Sequence, residues 1–157
     1  MSPPPYQTEQ GYREPSAAQL SVFLANRVGQ LKDLLDVLAE SGVRVLGLSV
    51  IDATDWAVVR CVVSDVDLAR AVLGRRGLRY TERPVLLVKL TDSQDMSAIC
   101  GCLVRAEINI HFAYPLTVQH HEHAVMVFHV DDTMLACRVL RDHGMDLLGQ
   151  GDLSDTV

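Results

Sequence analysis

No apolar run in this sequence approaches the roughly 20 residues that a helix needs to cross a bilayer. Its start, MSPPPYQTEQGYREPSA, lacks the apolar core of a secretory signal. A membrane partner is therefore not expected. Aromatic residues make up only 5% of the chain. Clustered Lys and Arg are also missing, and the net charge is −6, which argues against a nucleic-acid partner. Small anions remain possible ligands, because backbone amides bind them without net positive charge. There is no Ser-His-Asp or Cys-His set in a motif context, no glycine-rich phosphate loop, and no carboxylate pair in an evident cleft. Neither catalysis nor a cofactor is expected. The four cysteines, Cys61, Cys100, Cys102 and Cys137, lack the C-x-x-C spacing of metal or redox sites and read as reduced thiols of a cytoplasmic protein.

What is present is the composition of a globular protein. The chain has 157 residues, 48% hydrophobic and 22% charged, enough for one large or two small domains. Pro3, Pro4, Pro5 and Pro15 among polar residues mark residues 1–17 as a disordered tail. From Gln19 to Val45 the order is strand, polar turn, helix, strand. Leu20, Val22 and Leu24 alternate as in a half-buried strand, and Asn26-Arg27-Val28-Gly29 is the turn. Leu31, Leu34, Leu35, Leu38 and Ala39 then form one helix stripe, and Gly42 stops the helix. A hairpin turn is expected at 52–55, a strand at Trp56–Val63, and a second helix through Leu68, Ala69, Val72 and Leu73. A short strand to Arg83 ends at the break marked by Pro84.

This βαββαβ order then repeats. Met96, Ile99, Cys100, Leu103 and Val104 reproduce the first helix stripe 65 residues later, and Leu135, Ala136, Val139 and Leu140 reproduce the second 67 residues later. The change in offset places a two-residue insertion around Gln119-His120-His121-Glu122-His123. The fold class expected is α+β: two tandem ferredoxin-like units over 18–84 and 85–152, each an antiparallel sheet with helices on one face, followed by a short tail over 153–157. On the other face of the first sheet, Leu46, Leu48, Val50, Trp56, Val58 and Val62 leave an apolar surface broken only by Arg60, so a face-to-face homodimer is expected.

The run Leu24-Ala25-Asn26-Arg27-Val28-Gly29-Gln30-Leu31, followed by LLDVLAESGVRVLGLSV, resembles the ACT domain family. That family's pattern is a strand, Asx-x-Pro-Gly-x-Leu, a helix, and then glycine with alternating apolar residues. The resemblance covers Ala18 to Asp152. It implies a regulatory module that binds an amino acid or related metabolite where such domains meet, and an enzyme partner, acetolactate synthase being one enzyme whose small subunit carries this domain. Val28 stands where the family usually has proline. The second copy has Thr91-Asp92-Ser93-Gln94 with no glycine, so the resemblance does not carry a second equivalent site.

The chemistry points to the same turn. A helix beginning near Gln30 presents unpaired N–H groups to a carboxylate, and Gly29 lets ligand atoms approach the backbone. Asn26 either accepts from the ligand ammonium or caps the helix. The candidate ligand-binding set is Asn26, Arg27, Val28, Gly29, Gln30 and Leu31 with Ser49, Asp52, Thr54 and Asp55, and Asn109, His111 and Tyr114 at related positions of the second copy. A tight strand-to-helix turn and a polar hairpin would use many of the same residues. The rival reading is a metal site on His120, His121 and His123, helped by His111 or His129. A third reading is a pure interaction module. The expectation is a non-enzymatic amino-acid sensor.

Overall fold

The computed structural model describes residues 7–8, 11–12 and 16–155. The tail expected over 1–17 lies mostly outside the described residues. Within it, β1 (Gln7–Thr8) pairs antiparallel with β2 (Gly11–Tyr12). The chain divides into two compact units, Ala18–Arg83 and a second made of Met1–Ala17 with Pro84–Val157.

The first unit contains β3 (Ala17–Ala25), α1 (Gln30–Glu40), β4 (Val45–Asp52), β5 (Trp56–Val63), α2 (Val66–Arg75) and the first half of β6 (Arg79–Lys89). The sheet order is β4-β5-β3-β6, with β3 and β4 antiparallel to β5. The central strand β3 is buried on both faces rather than one. Leu20, Val22 and Leu24 join the core with Leu34 and Leu38 of α1 and Ala69, Val72 and Leu73 of α2. On its other face Gln19 and Ser21 are buried, and the Gln19 amide donates to the Ser21 hydroxyl at 3.2 Å, which offsets part of their desolvation.

The second unit repeats the plan with the rest of β6, α3 (Met96–Arg105), β7 (Ile110–Pro115), β8 (Val125–Val130), α4 (Thr133–Asp142) and β9 (Leu147–Leu148), in the order β7-β8-β6-β9. Leu86, Val88, Phe128 and Val130 pack with Ile99, Leu103, Ala136 and Leu140. A closing 3-10 turn, Gln150–Asp155, follows, and Leu153, expected to open the C-terminal tail, is fully buried in it. Both units are therefore antiparallel sheets with helices on one face.

Three details depart from the sequence pattern. Pro84 does not break the chain into two strands but lies inside β6. It is exposed, and a proline is tolerated in a strand where its missing N–H is not needed for pairing. The helix stripes are rotated: Val37 and Cys102, equivalent in the two copies, pack on their cores, while Ala39 is exposed and Val104 is 69% exposed. Both flanks of a 3.6-residue stripe fit the pattern, and only packing against the sheet selects one.

Finally, a bulge between Val45 and Gly47 shifts the register of β4. Leu48 then faces Cys61 and Val50 faces Val59, residues of the helix-side core, while Ser49 and Ile51 take the outer face. Leu48 and Val50 thus leave the outer apolar surface expected for a homodimer. Leu46 and Val62 are already buried within the chain. The open apolar residues left on that face are Ile51, 36% exposed, and Trp56, 49% exposed.

Candidate functional site

The turn between β3 and α1 is shaped by its own backbone. The Arg27 N–H donates to the Ala25 carbonyl at 2.8 Å, and the Gln30 N–H to the Arg27 carbonyl at 3.3 Å. Gly29 adopts φ +90°, a left-handed conformation that glycine enters without penalty, and a Cβ added there would meet open space. Gly29 is the residue before α1, so it brings no side chain to the Leu31 and Lys32 amides of the first turn. The other three helices each begin on an aspartate: Asp65 accepts from the Leu68 amide, Asp95 from Ala98 and Asp132 from Leu135, at 2.9–3.0 Å. Helix α1 alone among these four starts without such a cap.

Asn26 does not cap the helix. Its amide donates to the Asp52 carboxylate at 2.8 Å, and its backbone N–H to the Asp55 carbonyl at 3.3 Å. The turn is thereby tied to the β4–β5 hairpin, so Asn26, Asp52 and Asp55 come together across 26 or more residues of sequence. Asp52, Thr54 and Asp55 are exposed, as are Arg27 and Val28, the latter completely. Leu31 and Ser49 are half-buried, Leu31 against the first core. Gln30 lines a cavity together with Asp33 and Arg76, two residues that motif reading passed over. Arg76 lies 46 residues from Gln30, and only the pairing of the two helices on one sheet face brings it near.

In the second unit the residues expected at related positions lie as follows. The Asn109 backbone N–H donates to the Asp131 carboxylate at 3.2 Å, and Tyr114 is buried. His111 lies against His129 with ring centroids 5.0 Å apart, and Phe112 stacks on His129 at 4.8 Å. The start of α3 is closed by the Asp95 cap and by a tight Thr91–Gln94 turn with paired backbone bonds. His120 and His121 meet at 4.2 Å, with His120 buried and His121 and His123 exposed on a turn where His121 and Glu122 have positive φ. Among the described residues no group of three or more His, Cys, Asp or Glu could hold a metal ion, and none of the helices is long and apolar enough to cross a membrane. The Cys61 thiol is pushed up to about 12 by burial, which leaves it as core rather than nucleophile.

Comparison with known proteins agrees with this architecture. A protein from Bacteroides thetaiotaomicron superposes with a TM-score of 0.81 at 25% identity, over 89% of this chain and 96% of that one. The regulatory subunit of aspartate kinase from Thermus thermophilus, in a ligand-free form, superposes with a TM-score of 0.57 at 13% identity, over 82% and 93% of the two chains, a likeness that bears on the fold alone. No curated protein matches the sequence. The sequence profile of the ACT domain pair matches residues 16–157, so the chain belongs to the ACT domain pair family.

Proposed function

We propose that this protein is a non-catalytic sensor that binds an amino acid or a closely related metabolite at the junction of β3 and α1. The observation that carries the reading is the uncapped start of α1, opened by Gly29 and set beside the acidic β4–β5 hairpin. The ligand carboxylate sits at the first-turn amides, where the helix dipole favours negative charge. Its ammonium faces Asp52 and Asp55. Asn26, already bonded to both residues, transmits occupancy from the turn to the hairpin.

Regulation follows from differential affinity. A ligand that binds one arrangement of paired domains more tightly shifts the population toward it. A second copy of the chain covers Ile51 and Trp56 in a homodimer, and the regulated partner is an enzyme of amino-acid metabolism in the cytoplasm. Membership of the ACT domain pair family supports a regulatory role of this kind.

Thermal shift against the standard amino acids tests the reading. One or a few should stabilise the protein by mass action, by about 2.7 kcal/mol at a hundredfold excess over Kd. Gly29→Val should abolish that response. A flat panel with folded wild-type protein sinks the proposal.

A further inference from the structure

Beside α1, within the first unit, lies a cavity of about 180 Å³. Its floor is apolar, made by Leu24 at the end of β3, Leu34 and Val37 on α1, and Leu78 before β6. Around that floor stand Gln30, Asp33 and Arg76. Among the described residues, the Asp33 and Arg76 side chains close no ion pair or hydrogen bond, with each other or with a neighbour. The cation next to Asp33, Lys32, is engaged by Asp36. One cavity thus presents an acid, a base and an aliphatic surface.

We infer that this cavity is a second binding site, for a small aliphatic zwitterion. The Arg76 guanidinium offers a planar fork of donors that matches a carboxylate. The Asp33 carboxylate accepts from an ammonium. The four apolar side chains cover a short branched carbon body, since apolar surface removed from water favours binding. A cavity of this volume suits a small molecule. The site is separate from the β3–α1 turn: its charged groups are Asp33 and Arg76, where the turn uses Asp52 and Asp55.

Titration of the full chain with L-valine and with its 2-oxo acid, followed by methyl NMR of Leu24, Leu34, Val37 and Leu78, tests this inference. Valine should shift those methyls in wild-type protein. Arg76→Ala should weaken both probes at least tenfold. Asp33→Asn should weaken valine but leave the 2-oxo acid unchanged, because that probe has no ammonium. Val37→Phe, which fills the cavity from a half-buried position, should abolish both while the circular dichroism and Tm confirm folding. Asp52→Ala should leave these methyl shifts intact. Absence of shifts in wild-type protein, or wild-type affinity in Arg76→Ala, overturns the inference. If Asp52→Ala removes valine binding and Arg76→Ala does not, the cavity proposal fails and the reading of the β3–α1 turn stands.

Discussion

The side-chain amide of Asn26 donates to the carboxylate of Asp52 at 2.8 Å, joining a strand-to-helix turn to a hairpin 26 residues away. The bond is exposed, so its worth to the folded state is small, at most about 1 kcal/mol. Its effect on ligand response is expected to be much larger. Asp52→Ala should change the urea midpoint little, yet remove the thermal stabilisation by whichever amino acid stabilises the wild type. A retained response would place the ligand elsewhere.

Gly42 and Glu107 occupy equivalent places after α1 and α3, and both have positive φ, 85° and 57°. A non-glycine residue is strained there by about 1–2 kcal/mol, partly offset by the extra unfolded-state freedom of glycine. Glu107→Gly should therefore stabilise the protein by about 0.5–1 kcal/mol. Gly29→Ala, at φ 90° with open space around it, should destabilise by a similar amount through backbone strain alone. Paired urea denaturation curves measure both.

The rotated helix stripe can be read from α3. Leu103 is fully buried and Val104 is 69% exposed. Leu103→Ala should cost about 2–5 kcal/mol, whereas Val104→Ala should stay within about 0.5 kcal/mol. Equal losses at the two positions would mean that the helix faces the sheet differently.

Burial pushes the Cys61 and Cys137 thiols from an ordinary 9.0 up to about 12. Cys102 is also buried, and Cys100 is half-buried. A disulfide reagent at pH 8 should therefore modify Cys100 first and the other three only after denaturation. The linkage has a definite sign. A thiol whose folded pKa is raised favours the fold below its unfolded pKa, and that contribution is lost as pH rises from 9 towards 12. Stability should decline over that window, and Cys61→Ala should flatten the decline.

Arg70 holds Glu82 in a two-bond fork, Nε to Oε2 at 2.7 Å and Nη2 to Oε1 at 2.6 Å, and this lowers the Glu82 pKa. A carboxyl with a lowered folded pKa contributes above its unfolded value and loses the contribution as pH falls through the folded one. Glu82→Gln should therefore lower Tm slightly at pH 7, and the two proteins should converge as the solution is acidified below the ordinary Glu range. The same convergence should appear at pH 7 in high salt, because the pair is partly exposed.

The duplication was legible because apolar spacing recurs: Leu34 and Ile99, Leu38 and Leu103, Leu73 and Leu140 stand at matching offsets, and each pair is buried. The φ-positive Gly42 was also marked by residue type, since a stop after a helix favours the residue without a Cβ. The turn Asn26–Gly29 could be found for the same local reason. Which flank of each helix stripe meets the sheet could not, because 3.6-residue periodicity leaves both open. Nor could the bulge after Val45, which moves Leu48 to the core and Ser49 outward, since a single extra residue reverses every face beyond it. The partnership of Asn26 with Asp52 and the shared cavity of Asp33 and Arg76 depend on strand pairing and helix packing across distances the chain order does not encode. Short-range pattern thus determined the elements and their repetition, while tertiary packing decided which side chains meet.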